Sequence, residues 1–339
     1  PQEGGKVLLL PLGGGGEIRG RHFVLWSWTT LYVASYATRW VKAMRYFLPV
    51  YPFLILFAAF ALGHALTRWR GRLWRRVAVG LTLVVTLGAA AWGIGMTGIY
   101  LRPHTRIVAS RWIYANVPPG STVANEHWDW GLPLRIEGRD GLRSTYTGIE
   151  MALYNEDTPQ KLRQLLTWLD QADYLFLASN RLYGSIPRLP ERYPLTTEYY
   201  RALFAGELGF ELAAEFTSYL TLWPLTFPDQ EIPYPLMTPR TATQRSLVPV
   251  PLPPAEESFS VYDHPNCLIF RKTSAYDPQR VAVLLGAVDL STARVGLSPQ
   301  AATPDLVLAA HDVTFVAGIA LALLVAGLAA LRALRAPPS

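Results

Sequence analysis

Lys42, Arg45 and Tyr46 stand at the head of an uncharged run, Tyr46 to Thr67, that carries Pro49 and Pro52 in its first turns. Prolines in a helix interior remove backbone donors and leave carbonyls unpaired. Irregular backbone at membrane depth is tolerated where it lines a cavity or is buried in protein. Two cations beside such a spot suit an anion held at that level. A lipid phosphate is the first candidate, gripped by arginine in a two-pronged fork and by lysine as a point charge. Cations that merely snorkel at a helix end are the competing reading.

A second cluster is Glu126, His127 and Asp129 in "NEHWDWGLPL", at the end of a strand-like stretch. Loops after strands often carry function in α/β sheets. The three groups could serve as acid and base or hold a metal, but their spacing fits no zinc pattern and no H-E-x-x-H occurs. A surface turn stabilised by Asp129 and two tryptophans fits the stretch better. Trp128 and Trp130 are candidates to stack on a sugar. A third group is "SNRLYGSIPRLPERY", where Asn180, Arg181, Arg188 and Arg192 alternate with Tyr183 and Tyr193. It could meet a polar acceptor or a lipid headgroup, and a structured loop docking a domain onto its membrane part fits it better. His264 in "YDHP" reads as a hydrogen-bonded turn residue. Cys267 is the one cysteine, which excludes an internal disulfide, and it reads as a small buried hydrophobe on a strand. Walker, dinucleotide and G-x-S-x-G signatures are absent.

The elements that must position these residues begin with four uncharged segments, His22–Thr38, Tyr46–Thr67, Val77–Leu101 and Val313–Leu331. Crossing the hydrocarbon core takes about 20 apolar residues; the last three fit well, and the first is short and rich in Ser and Thr. Membrane helices are expected over about 22–38, 46–66, 77–100 and 313–332. The formal net charge of +6 is unevenly spread. Residues 102–312 hold 18 basic and 23 acidic residues, a net of −5, and the remainder holds 13 basic and 2 acidic, a net of +11. The excess flanks the membrane segments, whereas a nucleic-acid binder would concentrate it on the folded domain. Arg68, Arg70, Arg72, Arg75 and Arg76 in one short loop mark the cytoplasmic side. Residues 102–312 are then extracytoplasmic, and Arg39, Lys42 and Arg45 fall outside as an exception to the rule. Small residues four apart (Gly318, Ala322, Ala326, Ala330) suit close helix packing in lipid.

The outer region alternates helix and strand patterns. "TRIVASRWIYANVPPGS" predicts a helix stopped by Pro-Pro-Gly, and "STVANEH" a strand. "TPQKLRQLLTWLDQAD" predicts a helix with Thr158 as N-cap and Pro159 first, followed by the buried strand "YLFLAS". "TTEYYRALFAG" predicts a helix, "FELAAEFTSYLTLW" a strand and its continuation, and "FSVYDHPNCLIFRK" two short strands. This order predicts an α/β layer domain over 102–276 with a partly parallel sheet. Residues 224–254 predict a long surface loop and 277–312 a linker carrying a little local structure. The fold expected is a multi-pass α-helical membrane protein with an extracytoplasmic α/β domain, its first membrane region over 1–101.

"KAMRYFLPVYPFLILFAA" resembles the K-x-x-R-Y-x-L-P-x-x-P signature in the membrane part of GT-C glycosyltransferases, those similar to dolichyl-phosphate-mannose protein mannosyltransferases (glycosyltransferase family 39). "WIYANVPPGSTVANEHWDWGLPL" and the stretch from Ser179 to Leu212 are similar to the extracytoplasmic part of large bacterial members. The resemblance implies sugar transfer from a polyprenyl-phosphate carrier to a glycan, lipid or protein acceptor on the outer face. It implies that Lys42, Arg45 and Tyr46 line the carrier-phosphate region, with Trp128, Asp129, Asn180 and Arg181 available to acceptor or sugar. The family's catalytic acids lie in a first outer loop that nothing here matches. The chain, which opens at Pro1 without an initiator Met, is therefore expected to be a C-terminal portion, inactive alone. No cofactor is expected within it; a divalent metal would be held mostly by the upstream part. The alternative is a membrane-anchored extracytoplasmic domain that binds glycan or protein without catalysis. An outer-face hydrolase using Glu126, His127 and Asp129 is a third, weaker reading.

Overall fold

A computed structural model describes residues 17–37, 44–69, 71–230, 248–250, 252, 255 and 257–294. The expected final span over 313–332 and Lys42 lie outside the described residues. The described residues divide into two compact units, one up to Ala78 and one from Val79 onward.

In the first unit, α1 (Glu17–Ala37) is followed by a 3-10 turn (Met44–Phe47) and α2 (Tyr51–Arg68). The two helices run antiparallel through an aromatic seam: Trp26 stacks on Phe57 at 4.4 Å, Trp28 meets Phe53 at 4.8 Å and Tyr36 meets Tyr46 at 5.6 Å. The second apolar helix was expected from Tyr46. It opens instead at Tyr51, with Pro52 in its first turn, where a missing N–H costs nothing. The 3-10 turn ahead of it carries Arg45. Next comes α3 (Arg72–Tyr100), which runs from the first unit into the second. Two helical stretches, Tyr51–Arg68 and the one opening at Arg72, are long and apolar enough to cross a membrane by length and composition. The first, α1, is not among them. It extends back to Glu17, taking in Arg19 and Arg21, and it carries Ser27, Thr29, Thr30 and Ser35.

The second unit holds a five-stranded sheet between two helical layers. Its elements are α4 (Thr105–Asn116), β1 (Thr122–Glu126), α5 (Leu142–Thr145), β2 (Thr147–Met151), α6 (Pro159–Gln171), β3 (Tyr174–Leu177), α7 (Pro194–Phe204), β4 (Phe210–Phe216), β5 (Leu220–Leu222), β6 (Leu225–Phe227), β7 (Val248–Pro249), α8 (Glu257–Ser260), β8 (Cys267–Lys272) and α9 (Pro278–Gly286). The sheet order is β2-β1-β3-β8-β4, parallel among the first three strands and antiparallel from β3 to β4. Alternation along the strands splits the core. Val123, Tyr174, Phe176 and Ile269 pack on Ala109 and Ile113 of α4. Ala124, Leu175, Leu177 and Phe270 pack on α6, α7 and α9. Thr158 caps α6 as expected, accepting the Lys161 N–H at 3.1 Å.

Two stretches differ from expectation. The linker assigned from Asp277 onward begins with α9, whose Val281 and Leu285 are buried in the main core, so the domain extends past 276. Asp277 caps that helix, accepting from the Gln279 and Arg280 N–H groups. The first of the two strands expected in "FSVYDHPNCLIFRK" is a helical turn, α8; only β8 is a strand. The expected loop from Pro224 contributes β6 and β7 to a small second sheet, ordered β5-β6-β7.

Cys267 is buried on β8, and burial pushes its thiol up to about 12. The thiolate is the reactive form. Native protein is therefore expected to resist maleimide at neutral pH and to react once denatured; prompt labelling of the native fold would contradict this packing.

Candidate functional site

The chain passes from β1 to β2 on one side and then crosses to β3 on the other. This reversal makes the carboxyl ends of β1 and β3 the place where open α/β sheets ordinarily bind ligands. Residues 126–131 leave β1 there and residues 178–185 leave β3, so two of the sequence-predicted clusters meet at one edge.

Asp129 ties this edge to the helical layer. Its Oδ1 accepts from Arg106 Nη2 at 2.7 Å and from the Trp130 N–H at 2.7 Å, and its Oδ2 accepts from Ser179 Oγ. Arg106, in the first turn of α4, also donates from Nε to the Ala178 carbonyl at 3.2 Å. Both charged side chains are nearly fully buried, 6% and 2% exposed. Asp129 therefore positions both loops. Its neighbours Trp128 and Trp130 are 65% and 63% exposed.

Arg181 is the second tie. Its Nη1 donates to the Trp128 carbonyl at 2.5 Å, Nε to Glu257 at 2.8 Å and Nη2 to the Tyr262 hydroxyl at 3.2 Å. Trp128 is held at φ 70°, in the left-handed region that a bulky residue enters only when its surroundings impose it. Its ring stands edge-on to His127 and Tyr154. Asn180 is buried, and its Oδ1 has no partner among the described residues. Gly184 completes the loop: a Cβ there would come within 2.4 Å of the Asn180 carbonyl.

Glu126 points the other way, into the layer of α7. Its Oε1 accepts from the Tyr200 hydroxyl at 2.5 Å, and its Oε2 is buried without a partner among the described residues. Burial pushes its carboxyl up to about 8; nearby Asp129 adds to the rise and the Tyr200 hydrogen bond opposes it. At neutral pH it is a protonated acid. Glu126 and Asp129 thus diverge, one toward Tyr200 and the other toward Arg106, and they share no reacting centre. Among the described residues no three His, Cys, Asp or Glu side chains lie together in a way that could hold a metal ion.

The remaining sequence candidates separate. Tyr183 and Tyr193 are core residues, and Arg192 lies over the Tyr193 ring at 5.3 Å, while Arg188 is exposed. His264 is a buried structural residue, 3.1 Å from Asp229. In the first unit Arg45 is exposed and lies 5.2 Å over the Tyr46 ring, and the Tyr46 carbonyl accepts from Tyr32 Oη at 2.7 Å.

Three residues that build the β1/β3 edge escaped the sequence reading: Arg106, Ser179 and Tyr200. Arg106 had a signal, since it falls on the inward stripe 106, 109, 110 and 113 of α4, where a charge requires a partner. Ser179 and Tyr200 had none. No protein-family model, no curated protein and no solved structure matches the chain.

Proposed function

We propose that this chain is the C-terminal part of an integral-membrane glycosyltransferase that transfers a sugar from a polyprenyl-phosphate carrier to an acceptor on the outer face. Lys42, Arg45 and Tyr46 line the carrier-phosphate region. The edge built by Trp128, Asn180 and Arg181 meets the sugar or the acceptor, with Asp129 as its positioning residue. Residues 102–312 are extracytoplasmic, the chain crosses the membrane several times, and any divalent metal is held by the upstream part.

The observation that carries this reading is the Arg45 turn. An exposed guanidinium sits on a short 3-10 turn beside a tyrosine ring, directly ahead of the N-terminus of an apolar helix long enough to span. The fork-shaped cation ahead of the helix is what favours a phosphate; at the helix start the Val50 and Phe53 N–H groups already bond to the Phe47 and Val50 carbonyls, and Pro52 has none. At the outer edge, Trp128 and Trp130 offer ring faces that a sugar can cover. Those two rings are also what favours the second reading, an anchored glycan-binding domain without catalysis.

In the full-length enzyme, Arg45→Ala is expected to weaken binding of polyprenyl phosphate about ten-fold or more, the range of a lost charge-assisted hydrogen bond. Arg45→Lys should recover part of it. Titration of the carrier lipid reads both variants. Unchanged affinity in a folded Arg45→Ala protein removes Arg45 from the phosphate site, and labelling that finds residue 45 in the cytosol removes the topology.

A further inference from the structure

The hairpin of β5 and β6, "LTLWPLTF" from Leu220 to Phe227, contains no charged residue and stands against the C-terminal half of α3. The backbone of α3 comes close at Gly95: a Cβ there would lie 2.8 Å from a Leu220 methyl and 3.2 Å from Leu222 Cγ. Phe227 meets Trp92 edge-on at 6.0 Å. Arg102 fastens the junction, donating from Nε to the Gly98 carbonyl at 3.0 Å and from Nη2 to the Tyr219 carbonyl at 2.7 Å. Trp223, at the hairpin tip, is 84% exposed.

Depth follows from helix geometry. Gly95 lies six residues before Leu101, where the uncharged run of α3 ends, or about 9 Å along the axis. The 25 residues from Val77 to Leu101 cover about 37 Å, exceeding a hydrocarbon core of about 30 Å by about 7 Å. With that run centred on the bilayer, Gly95 falls about 5 Å inside the outer hydrocarbon boundary, beside Leu220 and Leu222 of the hairpin. A short sheet cannot go deeper: among the described residues β5 is an edge strand, and an open edge inside hydrocarbon leaves backbone groups unpaired. Tryptophan with an apolar ring and one N–H belongs at headgroup level.

We infer that the β5–β6 hairpin is a membrane-interface element, with Trp223 seated among the headgroups of the bilayer that α3 crosses. The inference rests on α3 as a span, and the experiment separates the two. Cys267 is buried, so single cysteines placed by Trp223→Cys, Val84→Cys and Gln164→Cys can each carry a nitroxide in the full chain, reconstituted in phosphatidylcholine vesicles. Collision with oxygen and with a water-soluble nickel chelate reads the depth. Oxygen should dominate at position 84 and nickel at position 164, with the oxygen-to-nickel ratio at 223 clearly above that at 164 and below that at 84. A ratio at 223 equal to that at 164, with 84 in lipid, overturns the hairpin inference alone. A label at 84 in water overturns the span and the hairpin with it.

Discussion

Asp129→Asn is expected to destabilise the α/β unit by about 3–5 kcal/mol, because it strips the counter-charge from a buried arginine. Arg106 is 6% exposed and Asp129 2%, so water screens neither group. The pair also links three segments. Arg106 belongs to α4, Asp129 to the loop after β1 and Ser179 to the loop after β3, and all three meet at one carboxylate. The asparagine keeps the shape and an acceptor oxygen, so the loss reports charge. Arg106→Met in the same chain should recover a large part of it, since the cost arises from one ion left alone and not from the absence of a pair. The buried thiol supplies the readout: the urea concentration at which Cys267 becomes reactive should fall in Asp129→Asn and rise again in the double variant. An unchanged midpoint would show that the buried ion pair contributes nothing to the fold.

The strand–helix–strand order of this unit was legible because burial writes itself into periodicity. The inward stripe Leu162, Leu165, Leu166 and Leu169, the apolar run at Tyr174–Leu177 and the Thr158-Pro159 start give α6 and β3 from the residues alone. β2 did not show, because an edge strand with an exposed-to-intermediate face reads like a loop. α9 was hidden by its setting: a nine-residue helix after a turn-rich stretch looks like a linker until Val281 and Leu285 are seen in the core. The candidate edge was half legible. Asp129 and Arg181 stood out as charges in aromatic loops, but their partners lie 23 and 76 residues away, at Arg106 and Glu257. Local pattern carries no information at that range. The same limit explains why Glu126 and Asp129, three residues apart in sequence, suggested a shared site, whereas their hydrogen bonds run to Tyr200 and to Arg106.

Glu126→Gln is expected to change how folding depends on pH. The folded protein holds the Glu126 carboxyl at about 8 against an ordinary value of 4.5, with burial the main cause. Below pH 4.5 both folded and unfolded chains keep the proton, and this group leaves stability unaffected. Between pH 4.5 and about 8 the unfolded chain releases a proton that the folded chain retains, so stability falls as pH rises. Above about 8 both are ionised and the slope ends. At about 1.4 kcal/mol per pH unit, the total is on the order of 5 kcal/mol. Glutamine cannot ionise, and its carbonyl can still accept from the Tyr200 hydroxyl, so the bond joining β1 to α7 survives. Relative to the unaltered protein, the variant should therefore gain stability steadily from pH 5 to pH 8. Its lead should then hold constant. Unfolding midpoints at four or five pH values suffice, and a difference that stays flat across the window would mean that Glu126 is ionised in the folded state and meets a donor or water at Oε2. Glu126 ends the strand that launches Trp128 and Asp129, and its Tyr200 bond joins that strand to α7 on the sheet face opposite the one Arg106 secures; a carboxylate accepts that bond more strongly than the acid does, so the join persists through ionisation.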